Sequence, residues 1–193
     1  MRLADLKEMA FRHSPGFDIS QQEWDLEFKT FGGKVEKQLN DRSFVESKKD
    51  EDTITYALVI KGEVVAMAKL KPRIILGKHY EDLKIICSNP SKTNHGFASL
   101  LLWELYLFLE NPLFIGGAIA PKGEALIISF MKKHLNVLDK VPKVLDPLTG
   151  ETFDVSRWFN QTRYGLVLEC FPMDNSRSSI GGRKLWIFNE EFK

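Results

Sequence analysis

The sequence predicts an α/β (α+β) domain built on one mixed sheet flanked by helices. Three observations carry that prediction. Residues 53–60 and 64–70 are two runs rich in β-branched and apolar residues, joined by Lys61-Gly62-Glu63, which is the pattern of an antiparallel hairpin. Residues 82–88 are nearly continuously apolar at Ile85-Ile86-Cys87, as a strand covered on both faces would be. That strand runs into a polar loop and a buried helix, and a second strand–helix pair follows, an order that suits helices layered on a sheet.

The elements follow in order. The first forty residues are expected to be helical. Ser20 with Glu23 fits a capping box, in which each side chain bonds the other residue's amide. Trp24, Phe28, Phe31, Val35 and Leu39 recur at helical spacing as a packing stripe, which Gly32-Gly33 divides into two short helices. After the hairpin, Pro72 disturbs the ladder and Arg73-Ile74-Ile75-Leu76 resumes it at an edge. Residues 88–95 are polar and aperiodic, hence a loop. Gly96 to Leu109 is a buried helix ended by Asn111-Pro112. Residues 113–120 are a strand, 124–135 an amphipathic helix, 146–150 a turn, and 164–171 and 184–188 two closing strands. Residues 174–183 have loop composition. One domain spans 1–193: a helical segment 1–42, a core 43–135, and strands and loops over 136–193.

Length and composition bound the function. A chain of 193 residues suits one domain. It carries 27 Lys+Arg against 26 Asp+Glu, a net charge of +1, so bulk charge gives no argument for nucleic acid or membrane as partner. With 44% hydrophobic residues it is neither disordered nor disulfide-dense. Cys87 and Cys170 lie in apolar runs and suit buried thiols in a reducing compartment, with a disulfide or a catalytic thiol as the alternatives. No spacing of His and Cys suits a metal. No stretch has secretory or membrane-spanning character, so the expected location is cytoplasmic.

The strand–loop–helix unit around Gly96 carries the chemistry. A helix N-terminus leaves amides without intrahelical partners and places partial positive charge there. Gly96 and Ala98 are small enough for an anion to approach the main chain, Lys92 adds a cation, and Thr93, Asn94 and Ser99 add neutral donors. The set suits a phosphate or pyrophosphate. It is neither a Walker loop nor a dinucleotide fingerprint.

Pro90-Ser91-Lys92-Thr93-Asn94-His95-Gly96-Phe97-Ala98-Ser99-Leu100-Leu101 resembles the acyl-CoA-binding segment of the GNAT superfamily of N-acetyltransferases. That segment follows a strand, begins with proline and runs Gln/Arg-x-x-Gly-x-Gly/Ala into a helix. Gly96 and Ala98 match, while Thr93 stands where Gln or Arg is usual. The resemblance covers about residues 44–135. It implies a GNAT-like, mostly antiparallel sheet, acetyl-CoA (or another acyl-CoA) as cofactor, and transfer of an acetyl group to a primary amine. It further implies that Lys92, Asn94, His95, Gly96, Phe97, Ala98 and Ser99 hold the pyrophosphate and that Ile85, Ile86 and Cys87 flank the pantetheine.

The catalytic side is less complete. The family often places a Glu near the start of the strand before the loop, and Glu81 and Asp82 stand there. A Tyr on the later helix usually serves as general acid; here Phe130 takes the corresponding place, and either Ser129, His134 or water substitutes or the site does something else. His79 and Tyr164 are further candidates. Lys69, Lys71, Arg73 and Lys78 around the hairpin, and Arg177, Arg183 and Lys184 in the tail, form solvated faces or a groove for an anionic partner. Trp158, Phe159 and Tyr164 beside Arg157 and Arg163 suit base stacking or a core edge. Two further readings share the fold: a DNA base-modifying protein of the phage Mom type, which resembles the same superfamily, and a non-catalytic binding or inhibitor protein. The acceptor could then be a small molecule, a protein or a nucleic acid; no membrane partner is expected.

Overall fold

The computed structural model describes residues 19–28, 31–116, 121–134, 142–155, 158 and 163–170. The expected helix before Ser20, the tail loop at 174–183, the strand at 184–188 and the tail basic residues lie outside the described residues.

Helix α1 (Gln21–Phe28) starts at the expected capping box. The Ser20 amide donates to Glu23 Oε2 at 2.9 Å, and the Glu23 amide donates to Ser20 Oγ at 3.2 Å. Trp24 and Phe28, one turn apart, form its buried face. The helical stripe does not continue to Val35 and Leu39. Those residues belong to strand β1 (Lys34–Asn40), which pairs antiparallel with β2 (Ser43–Asp50). Gly33 lies so close to β2 that a Cβ would stand 2.5 Å from the Ser47 carbonyl oxygen, and the cross-strand ladder wins over the local period. Val35 is 49% exposed, and the Lys and Glu residues of this edge hairpin resist pairing with another sheet.

Strands β3 (Thr53–Ile60), β4 (Glu63–Ile75) and β5 (Lys78–Ser88) continue the meander. Lys61 and Gly62 have φ of 54° and 80°, the two-residue primed turn whose twist matches the strands it joins. β4 runs through Pro72, which stands opposite Glu81, so the expected edge segment after Pro72 is simply the rest of β4. Helix α2 (Phe97–Phe108) crosses over to β6 (Leu113–Gly116), and α3 (Pro121–His134), β7 (Lys143–Leu145), β8 (Thr152–Phe153) and β9 (Gly165–Leu168) follow. Among the described residues the sheet has nine strands in the order β1-β2-β3-β4-β5-β6-β9-β7-β8. Among these described strands only the β5–β6 pair is parallel. The fold is the mixed, mostly antiparallel sheet with flanking helices that the sequence predicts.

Helices α2 and α3 cover one face, over Leu58, Leu70, Leu113, Ile115 and Leu166. Leu101, Leu102 and Leu105 of α2 have no exposed surface, and burying each contributes about 1.5–3 kcal/mol. Glu104, in the same buried helix, is held by Lys37 of β1 at 2.6 Å. Helix α1 covers the other face, over Ala57, Val59, Val64 and Met67. Strand alternation puts a further apolar patch, including Ile75, Tyr80 and Phe114, on that same side. No helix of the described residues is long and apolar enough to cross a membrane.

Candidate functional site

The sheet opens where its one parallel pair ends. β5 and β6 are joined only at Glu81↔Leu113 and Asp82↔Phe114. β5 then runs on to Ser88 beside β4, while Ile115 and Gly116 of β6 keep only the pairing with β9 that Leu113 and Phe114 also have. Beyond Asp82 that side of β5 has no described strand against it, so the two strands form a fork whose mouth points toward the loop after Ser88. A bulge sits at the base of the fork. Lys69 pairs with Ile85 and the next residue, Leu70, pairs with Leu83, which leaves Lys84 as the extra residue. Glu81 and Leu83 before it, and Ile86 and Ser88 after it, therefore face α2. Asp82 before it, and Ile85 and Cys87 after it, face the α1 side.

The loop at the mouth is held by its own side chains. Asn89 Oδ1 accepts from the Ser91 amide at 3.0 Å and from Ser91 Oγ at 2.8 Å, capping a short 3-10 turn over Pro90–Lys92. The Ser91 amide also donates to Gln21 Oε1 at 2.9 Å, tying the loop to α1. Asn94 and Gly96 take left-handed φ of 69° and 75°. Gly96 is the N-cap of α2, and a Cβ there would meet nothing within 4 Å. The space over this bend is thus open, and the demand for glycine comes from φ. The main-chain N–H groups of Gly96 and Ser99 have no protein acceptor among the described residues. The Ala98 N–H is occupied: it donates to Ser88 Oγ at 3.2 Å.

The predicted cofactor residues divide accordingly. Asn94, His95 and Gly96 are exposed at the mouth, and Ser99 is half-buried. Phe97 and Ala98 are buried, so only their main chain can face a ligand. The His95 ring lies 5.7 Å from the Phe97 ring. Lys92 is not a free cation, because Glu63 pairs with it at 2.6 Å. Ile85, Ile86 and Cys87 line β5 along the fork but do not share a face. Burial pushes the Cys87 thiol up to about 12, with the Glu27 charge adding and Lys69 opposing, so it is not a thiolate nucleophile at neutral pH. Burial likewise pushes Cys170 up to about 12.

The acid–base candidates also separate. Glu81 Oε1 accepts from Asn111 Nδ2 at 3.1 Å, while its Oε2 is buried without a partner among the described residues. Asp82, the next residue, faces the other side and is held by Arg73 at 3.2 Å and Lys84 at 2.5 Å. His79 is exposed opposite Ile74, near the β4–β5 turn and away from the mouth. Tyr164 precedes β9 at the open end of β6, half-buried, its ring 5.4 Å from Phe153. Phe130 is wholly buried 6.2 Å from Trp103, so no acid stands at that place. Ser129 points away from it, into a shallow hollow of about 580 Å³ on the outer side of α3 lined also by Ala125, Ile128, Lys132 and Lys133. His134 ends α3.

The hairpin cations are not an open basic stripe. Lys69 pairs with Glu27 at 3.3 Å, Lys71 with Asp52, and Lys78 with Glu169 at 3.0 Å. Trp158 is a core residue, 2% exposed, its Nε1 donating to the Ile115 carbonyl at 3.1 Å, and is not a stacking platform. Sequence reasoning passed over Ser88, Lys84, Asn111 and Phe114. Only the bulge brings the first two into the site, and a bulge has no local signature here.

No protein-family model matches the chain, and no curated protein matches it. Among solved structures, the chain is similar to a protein from Bacteroides thetaiotaomicron described as an acetyltransferase of the GNAT family. The TM-score is 0.39 at 11% identity, covering 92% of this chain and 88% of the other. A likeness at that level establishes neither family nor activity.

Proposed function

We propose that the chain is an acyl-CoA-dependent N-acyltransferase that transfers an acetyl group to a primary amine. The observation that carries the reading is the fork between β5 and β6, which opens directly onto the left-handed bend at Gly96 and the N-terminus of α2. An extended pantetheine needs a strand edge to lie along, and β5 offers one past Asp82. A pyrophosphate needs main-chain donors with room above them: Gly96 and Ser99 offer donors, and the space over Gly96 is open. The residues present therefore fit such a cofactor. When bound it would supply the acyl group as a thioester, whose carbonyl carbon the amine attacks, the C–S bond breaking and the thiol leaving with a proton.

The chain's own task is to receive the proton that an ammonium must lose before it can attack. Glu81 suits this best of the four candidates. It stands at the closed end of the fork, Asn111 fixes one of its oxygens, and the other is buried and unpartnered. Asp82 is already committed to two cations. The developing oxyanion requires an N–H donor, and the exposed edge of β5 is the nearest source of main-chain donors.

Titration calorimetry with acetyl-CoA tests the reading. Binding is expected for the native chain. Gly96→Val should weaken it at least tenfold, because a β-branched residue at positive φ forces the bend to change. Intact folded protein that takes up no CoA thioester would overturn the proposal.

A further inference from the structure

Away from the fork, the cations along β4 and β5 contact carboxylates of their own among the described residues. Lys69, Lys71 and Lys78 each have their own acid. At the base of the fork two cations share one acid: Arg73 Nη1 and Lys84 Nζ both contact Asp82 Oδ2, at 3.2 Å and 2.5 Å. None of the three has another charged partner among the described residues. One positive charge is left over. A guanidinium has five N–H donors and an ammonium three, so most of the donors here remain available. The side chains of Arg73 and Lys84 are 40% and 25% exposed, while Asp82 is 5% exposed beneath them. The Phe114 ring fixes the guanidinium at 4.7 Å from its centroid, and Phe114 is the last residue paired with β5 before the strands part.

We infer that this cluster holds an anionic group of the acceptor, so that the acceptor is an amine whose own molecule also carries a carboxylate or a phosphate ester. The inference rests on the acyl-transfer reading. Asp82 acts here as a positioning residue that holds both cations at the bulge, and the surplus charge attracts the anion. The anion sits on the α1 side of the sheet and leaves the amine free to enter the fork, where β5 presents its bulged edge. A desolvated Arg–anion contact at a partly covered site is worth more than the same pair on open surface.

The test uses the whole chain saturated with CoA, with β-alanine, phosphoethanolamine and propylamine as probes in NMR titrations. The first two should bind at least tenfold more tightly than propylamine, and their order shows whether carboxylate or phosphate is preferred. Lys84→Gln leaves a balanced Arg73–Asp82 pair and should bring the three probes to similar affinity. Equal affinities in the native chain, a preference that survives Lys84→Gln, or no binding of either anion would each overturn the inference. Absence of CoA binding in the first step would instead overturn the reading on which it rests.

Discussion

Replacing Ser88 by Ala should destabilise the free protein and tighten its hold on the cofactor. Ser88 Oγ accepts the Ala98 N–H at 3.2 Å, so one of the amides at the start of α2 is satisfied from within. A pyrophosphate that uses this amide must first displace the hydroxyl. A hydrogen bond of this kind contributes about 1 kcal/mol net. Ser88→Ala removes that contribution from the free state and leaves the bound state, where the amide faces the ligand, nearly unchanged. Unfolding free energy should drop by about 1 kcal/mol, and acetyl-CoA affinity should rise about fivefold, the factor that 1 kcal/mol represents. Denaturant melts and titration calorimetry on the same preparation measure both. A drop in stability accompanied by weaker binding would mean that Ser88 supports the site instead of competing for it. No change in affinity would mean that Ala98 N–H is not a ligand donor.

Glu81→Gln should reduce turnover by about 10²–10⁴-fold with acetyl-CoA affinity unchanged, since the amide keeps the shape but cannot take a proton; steady-state rates and calorimetry separate the two effects. The same variant should be no less stable than the native chain, because it neutralises a buried oxygen that has no partner. Both thiols are held protonated by burial, at about 12 against an ordinary 9.0, so the unfolded chain ionises first. Stability is therefore full below pH 9.0 and falls above it, by on the order of 1 kcal/mol per thiol for each pH unit until the folded thiols ionise. Urea melts from about pH 8 to about pH 9.5, below the ordinary tyrosine and lysine range, should show the onset of that slope, and Cys87→Ala with Cys170→Ala should flatten it. Gly165→Ala should cost about 1–3 kcal/mol in thermal or urea melts, because a Cβ there would fall inside the Phe114 ring. Displacing that ring also removes the support under Arg73, so the variant should lose preference for anionic amines.

What could be foreseen follows the physics of short-range order. The capping box at Ser20, the hairpin around Lys61-Gly62, the central strand and the helix from Gly96 are set by neighbouring residues, and they stand where the sequence puts them. The hairpin of β1 and β2 could not be foreseen that way. Its Lys and Glu residues have low strand propensity, and it exists because β3 offers an edge for pairing. Likewise the spacing of Trp24 to Leu39 fits a helix, yet only its first turns obey it. In the site, the loop residues were visible because a left-handed glycine before a buried helix is a local event. Their partners were not. Glu63 on Lys92, Ser88 on Ala98, and the pair of cations on Asp82 all depend on strand register, which no window of sequence reports.

That register turns on one residue. In a regular strand Leu83, Ile85 and Cys87 would share a face, and Ser88 would point to the α1 side. Lys84 is extra, so the alternation resets: Leu83 and Ile86 pack under α2, whereas Ile85 and Cys87 pack under α1. The reset brings Ser88 Oγ to the amide of Ala98, and it sets the Lys84 ammonium beside Asp82 at the base of the fork. A one-residue slip flips every later side chain, so the loop amides and the charged cluster are products of the same insertion. Deleting Lys84 should nonetheless keep those faces, because Leu83 and Ile85 then become successive partners of Leu70 and Lys69 and the ladder closes without a bulge. Ser88 should stay at the amide of Ala98 and acetyl-CoA binding should persist, as in Lys84→Gln, while the preference for anionic amines goes with the ammonium. If the deletion variant folds but no longer binds acetyl-CoA while Lys84→Gln does, the alternation of faces along β5 is not what organises the site.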